Sequence, residues 1–169
     1  MEKVNILLSR FQPFTLGHLK CCTKVYKQRG IKTVLCVIDN VKPKESCPFR
    51  TKAIWTGLKN IVKNHEEIID IVLIKSVDIL KIGQAIGAKG YEIVSWCCGT
   101  DRFNDYSKMC KKYTPSVEVI EIKRDESSVS ATQVRDAILK GKEDIFKELT
   151  PQELHKSYER FKSSLEALN

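Results

Sequence analysis

The strongest constraint on this chain is a rhythm. Short, nearly continuous apolar runs alternate with longer stretches patterned at the helical period. Val4-Asn5-Ile6-Leu7-Leu8 opens the series, and residues 33–38, 68–74, 92–98 and 117–122 repeat it. Such runs suit strands covered on both faces, the normal state of a parallel sheet. Between them lie helical patterns at 17–29, 51–63, 79–89, 101–113 and 130–140. In the second of these, Ile54, Trp55, Leu58, Ile61 and Val62 share one face, which places Trp55 in the core. Parallel strands joined by helices of this length require right-handed crossovers. The sequence therefore predicts a doubly wound α/β fold built on a five-stranded parallel sheet. Residues 1–142 form that domain, and residues 143–169 are a helical C-terminal extension, helical from about 145 or 151 to 168.

Composition narrows the function. At 169 residues, with 42% apolar and 30% charged residues, the chain can bury a full core without a disulfide or metal staple. No apolar run approaches the ~18 residues of a membrane span. Met1-Glu2-Lys3 leads straight into the first strand with no signal-peptide pattern, so a cytoplasmic location and no membrane partner are expected. Seven cysteines include two adjacent pairs, Cys21-Cys22 and Cys97-Cys98, but no C-x-x-C and no His at ligand spacing. They read as reduced, mostly buried thiols. The formal charge of +8 permits an anionic partner without selecting one. Lysines are scattered and no arginine-rich stripe or aromatic–basic interleaving occurs, which ranks nucleic acid last among partners. Association of identical chains stays open.

Ligands of such sheets sit at the carboxyl ends of the strands, where the strand order reverses. Four loops qualify: 9–17, 39–50, 99–101 and 123–130. The chain holds neither G-x-G-x-x-G after its first strand nor G-x-x-x-x-G-K-S/T anywhere, so neither a dinucleotide turn nor a P-loop is indicated. The first loop instead places Gly17 and His18 at a helix N-terminus, where free N–H groups and the helix dipole favour phosphate. The last loop repeats the arrangement. Ser130-Ala131-Thr132-Gln133 has the form of a capping box, Thr132 adds a hydroxyl, and Arg135 offers a fork suited to phosphate oxygens. Two such helix starts at one sheet edge would hold a triphosphate from two sides. Trp96, near the end of the fourth strand, suits either the site or the core.

These segments resemble a known family. Thr15-Leu16-Gly17-His18 matches the H/T-x-G-H signature of the nucleotidylyltransferase superfamily, and Val129 to Arg135 resembles its I-S-S-T-x-x-R signature. Ser9-Arg10-Phe11-Gln12-Pro13-Phe14 resembles the G-R-F-Q-P-F-H-x-G-H opening of nicotinamide-mononucleotide adenylyltransferases of the archaeal type. Pro48-Phe49 is similar to that group's N-P-F segment, and Gly99-Thr100-Asp101 to the G-x-D segment of several adenylyltransferases. The resemblance runs from Val4 to Arg135. It departs at Ser9, where the group has Gly, at Thr15, where it has His, and at Ala131, where the signature has a second Ser.

The resemblance implies a Rossmann-like sheet and adenylyl transfer from ATP to a phosphorylated acceptor such as nicotinamide mononucleotide, a step of NAD biosynthesis. An acceptor phosphate oxygen would attack the α-phosphorus and release pyrophosphate, with Mg2+ carried by the triphosphate. It assigns His18 to the α- and β-phosphates, Arg10 and Thr15 to phosphate groups, and Thr132 and Arg135 to the β- and γ-phosphates. Phe11, Gly17, Gly99 and Ser130 belong to the nucleotide site, and Asp101 to the ribose or base. Lys42, Lys44 and Arg50 are candidates for the acceptor phosphate. The alternatives are a cytidylyltransferase, an adenylyltransferase for phosphopantetheine or glycerol phosphate, and a non-catalytic nucleotide sensor.

Overall fold

The computed structural model describes residues 1–125 and 128–168. Its sheet comprises β1 (Glu2–Ser9), β2 (Thr33–Ile38), β3 (Ile68–Ile74), β4 (Tyr91–Cys98) and β5 (Glu118–Glu121). All neighbours pair in parallel, in the order β3-β2-β1-β4-β5. The chain winds outward from β1 through β2 to β3, then crosses back to β4 and β5. The strand order thus reverses between β1 and β4, as the doubly wound reading requires.

Period-two alternation divides the strands between two cores. Val4, Ile6 and Leu8 of β1 join Val34 and Cys36 of β2 on one face. That face is covered by α3 (Ile79–Ala88) and α4 (Thr100–Tyr113) through Ile79, Ile82, Ile86 and Cys110. Leu7, Leu35 and Val37 point to the other face. There α1 (Leu16–Arg29), α2 (Thr51–Asn64) and α5 (Ala131–Leu139) contribute Cys22, Val25, Ile54, Leu58 and Val134. Trp55 packs partly buried against this second core. Trp96 is fully buried in the first, stacked on Tyr106 with ring centroids 3.9 Å apart, so it serves packing.

One buried polar residue interrupts the apolar run of β1. Asn5 is 0% exposed and spans three strands: its Nδ2 donates to Thr33 Oγ1 at 3.0 Å and meets Cys97 Sγ at 3.1 Å. Its Oδ1 accepts from Ser95 Oγ at 2.8 Å. A buried amide is tolerated only when its groups are paired, and here the pairing ties β1 to β2 and β4 at the point where the order reverses.

Several element ends shift by one residue from the sequence expectation, and two differences are larger. β1 begins at Glu2, because the exposed pair Glu2 and Lys3 still joins Tyr91 and Glu92 of β4. Hydropathy reports burial, whereas strand pairing needs only backbone. The C-terminal segment is divided into α6 (Glu143–Leu149), a 3-10 helix (Gln152–Ser157) and α7 (Tyr158–Glu166). The break falls at Thr150-Pro151, where the residue before proline is held extended (φ −125°, ψ 154°). This segment shares the second core through Phe146, Leu154, Tyr158, Phe161 and Leu165. At Gly57 of α2 a Cβ would lie 2.4 Å from Leu154 Cδ2, so the 3-10 helix rests directly on the α2 backbone. No helix among the described residues is long and apolar enough to cross a membrane.

Candidate active site

The loop from β1 to α1 is built from the inside out. Phe11 adopts φ +50°, a conformation non-glycine residues rarely occupy, and it costs strain. The ring offsets that strain by burial: it is 0% exposed, 5.5 Å from the Phe14 ring and 5.0 Å from the His18 ring. The turn is also held by Phe11 N–H donating to Ser9 Oγ at 3.0 Å. Thr15 then caps α1, its Oγ1 accepting from Gly17 N at 3.1 Å and His18 N at 3.4 Å. The reciprocal bond of the capping box runs from Thr15 N–H to His18 Nδ1, at 2.9 Å.

That bond settles the chemistry of the imidazole. A ring whose Nδ1 accepts a backbone N–H carries its proton on Nε2, leaving Nε2–H as the donor available to the cleft. Burial, with the Arg124 guanidinium as a second cause, lowers the His18 pKa to about 4, so the ring is neutral at pH 7. The folded ring stays unprotonated down to about pH 4, whereas an unfolded histidine takes up its proton near 6.5. Between those values the unfolded chain binds more protons, so stability falls as pH falls through this window and is complete above it. Urea unfolding at about pH 7 and about pH 4.5 should show a larger loss for the native chain than for His18→Asn. Equal losses would reject the neutral ring.

The second helix start faces the first. Ser130 caps α5: Gln133 N donates to its Oγ at 3.2 Å, and Gln133 Oε1 accepts from Ser130 N at 2.8 Å. Arg135 reaches back from α5, donating through Nη1 to Gln12 O at 2.8 Å and through Nη2 to Thr132 Oγ1 at 3.3 Å. The two helices meet through Gly17, where a Cβ would lie 2.5 Å from the Val129 carbonyl oxygen. Glycine at this position therefore lets the two segments touch backbone to backbone.

Both helix starts open into one cleft of about 740 Å³ at the carboxyl ends of β1 and β4. Gly17, His18, Ser130, Ala131, Thr132 and Arg135 line it, joined by Gly99 and Asp101 from the start of α4. Among the described lining residues eight are Lys or Arg, including Arg10, Lys44, Arg124 and Arg135, against two carboxylates, Asp101 and Glu148. Such a surface concentrates polyanions. Cys21, Cys47, Cys97 and Cys98 also line the cleft, but burial raises every one of these thiols, Cys97 and Cys98 to about 12. They stay protonated at neutral pH and supply no thiolate nucleophile. Among the described residues no group of three or more His, Cys, Asp or Glu side chains is placed to hold a metal ion.

The structure rearranges part of the site expected from sequence. His18, Arg10, Gly17, Gly99, Asp101, Ser130, Thr132, Arg135 and Lys44 come together in the lining. Phe11 does not contribute its ring, because the φ +50° turn rotates it into the core. Thr15 also lines the cleft but is only 1% exposed, and its Oγ1 accepts from Gly17 N and His18 N and lies 3.3 Å from His18 Nδ1, an arrangement that orients His18. Lys42 and Arg50 fall outside the lining. Their loop folds back at the Lys44–Cys47 bridge, which turns only its middle toward the cleft, and Arg50 donates to Val41 O at 3.0 Å. Residues 126 and 127 of the last loop lie outside the described residues. Gln12 and Arg124 also line the cleft, at positions to which the sequence motifs attach no role.

No protein-family model matches the chain, and no curated protein matches it. Solved structures do. Nicotinic acid mononucleotide adenylyltransferase of Plasmodium falciparum, complexed with APC and again with NaAD, is similar with a TM-score of 0.65 and 16% identity in each case. Each alignment covers 100% of this chain and 99% of that one. A Vibrio parahaemolyticus protein named provisionally as a nicotinate-nucleotide adenylyltransferase has a TM-score of 0.65 and 19% identity, over 95% of this chain and 99% of its own. At these identities the likeness establishes the fold: this chain has the α/β architecture of those proteins from end to end.

Proposed function

We propose that this chain transfers the adenylyl group of ATP to the phosphate of a pyridine mononucleotide and releases pyrophosphate, a step of NAD biosynthesis. The observation that carries the reading is the convergence of His18 and Arg135, from two capped helix starts, on one cationic cleft. The fold shared with structures of enzymes named for this activity supports it. Seven free thiols suit a reducing compartment, and we place the protein in the cytosol on that ground.

In the proposed reaction an acceptor phosphate oxygen forms a bond to the α-phosphorus as the bond from that phosphorus to the bridging β-oxygen breaks. Pyrophosphate leaves with the electron pair. An acceptor phosphate is already anionic, so catalysis consists of positioning and charge stabilisation rather than base chemistry. His18 donates from Nε2 to oxygens around the α-phosphorus, where charge builds. Arg135 and Thr132, with Arg10, hold the outer phosphates, and the N–H groups at the starts of α1 and α5 add the dipoles of two helix ends. Asp101 and Gly99, at the start of α4, face the nucleoside. Lys44 serves the acceptor phosphate. Mg2+ enters as part of the substrate, chelated by triphosphate oxygens and water.

Pyrophosphate release with Mg2+ and either ATP or CTP tests the reading, against nicotinate mononucleotide, nicotinamide mononucleotide, phosphopantetheine and glycerol 3-phosphate. Turnover with ATP and one of the two pyridine mononucleotides is the expected result. Turnover confined to CTP or to another acceptor would replace it. ATP binding with no release for any acceptor would make the chain a nucleotide sensor.

A further inference from the structure

We infer that Gln12 is the positioning residue for Arg135, and that α7 supports it through Phe49. The inference deepens the reading above, since it concerns how the triphosphate side of that site is held. Gln12 is 5% exposed, and its amide mimics a strand partner. Its Oε1 accepts from Phe49 N at 2.7 Å, and its Nε2 donates to Phe49 O at 2.9 Å and to Arg10 O at 3.2 Å. A glutamine can do this because its side chain carries the donor and acceptor pair of a peptide group. With the side chain pinned at both atoms, the backbone of residue 12 is fixed too, and its carbonyl accepts from Arg135 Nη1 at 2.8 Å.

Arg135 is partly buried, and that burial lowers its pKa, so the guanidinium depends on the oxygens offered to it. One is Thr132 Oγ1; the other is the carbonyl that Gln12 holds. The far side of the relay is equally fixed. Phe49 O also accepts from Asn40 Nδ2 at 2.7 Å, and the Phe49 ring stacks on Phe161 of α7 with centroids 4.5 Å apart at 28°. Both rings are 0% exposed. No described residue of α7 lines the cleft, yet α7 is tied to it through Phe161, Phe49, Gln12 and Arg135. α7 thereby acquires a part in nucleotide binding that its absence from the cleft lining conceals.

The test uses Gln12→Met, which keeps length and apolar volume but neither hydrogen-bonding atom, and Phe161→Leu, which keeps the core apolar but removes the stack. Calorimetric affinity for MgATP should fall about tenfold in Gln12→Met, the loss of one bond to a charged group. It should fall about threefold in Phe161→Leu, the loss of an aromatic pair. KM for the acceptor should stay within about twofold in both. In an Arg135→Ala background Gln12→Met should cost less than about twofold more, because the group it positions is gone. The Arg135 Nη–H resonance in the nitrogen–proton NMR spectrum should shift toward the free-arginine position in Gln12→Met, since Nη1 donates to the carbonyl of residue 12. An unmoved resonance, or losses that multiply independently with Arg135→Ala, overturns the inference. Should Gln12→Met not fold, Phe161→Leu decides by the same readouts. A native chain that binds no MgATP defeats the proposed function, and the Arg135 resonance then judges the positioning alone.

Discussion

Replacing His18 with Ala should lower turnover by about 10²–10³, the cost of about 3–4 kcal/mol seen when one preorganised donor to a developing charge is removed. The structure sharpens the experiment, because the two ring nitrogens do different work. Nδ1 accepts from Thr15 N–H within the capping box, and Nε2–H is left for the substrate. Asn places its amide oxygen near the Nδ1 position, so His18→Asn should keep the cap and the fold while losing the donor. Gln extends its amide nitrogen toward the Nε2 position, so His18→Gln should recover part of the lost rate. Ala loses both functions, and the orphaned Thr15 N–H adds about 1 kcal/mol of destabilisation. Pyrophosphate-release kinetics with urea unfolding separate these effects. An Asn variant as active as the native chain would show that the imidazole only caps a helix.

The parts of this molecule that were readable in its sequence are those set by one-dimensional patterns. β2 announces itself because both faces of a central parallel strand are covered, and an uninterrupted apolar run results. The α5 cap is readable because Ser130 and Gln133 stand three residues apart, which is the whole requirement of the motif. What stayed hidden depends on geometry that pattern does not encode. Phe11 stands within a quoted motif, but its ring turns into the core only because the backbone at that residue is left-handed. Lys42 and Lys44 are equivalent by composition, and a single bridge between Lys44 and Cys47 decides which one meets the cleft. Arg124 affects His18 across more than a hundred residues of chain, a relation that exists only after β5 is laid beside β4. Asn5 reads as a blemish in an apolar strand until Ser95, Thr33 and Cys97 are placed around it.

Gly17→Ala should be the most disruptive single-methyl change in the protein. In a helix interior, exchanging Gly for Ala ordinarily gains up to about 1 kcal/mol of stability. Gly83 of α3 is a site where that gain is expected, since a Cβ there would meet nothing within 4 Å. At Gly17 the new Cβ would fall 2.5 Å from the Val129 carbonyl oxygen and 3.3 Å from Thr15 Oγ1. Neither neighbour is the loose end of a side chain: one is backbone, and the other is a buried cap. Relief requires the start of α1 and the segment before α5 to separate by about 1 Å, and a displacement of that size at a reacting centre costs about 10² in rate. Overpacking adds about 1–3 kcal/mol of destabilisation, so Gly17→Ala and Gly83→Ala should shift the unfolding midpoint in opposite directions. Arg135 and His18 stand on the two segments forced apart, so both MgATP affinity and turnover should fall in the Gly17 variant and neither in the Gly83 variant. If both alanines stabilised the chain and left the kinetics alone, the backbone contact between the two helix starts would not be what holds the site together.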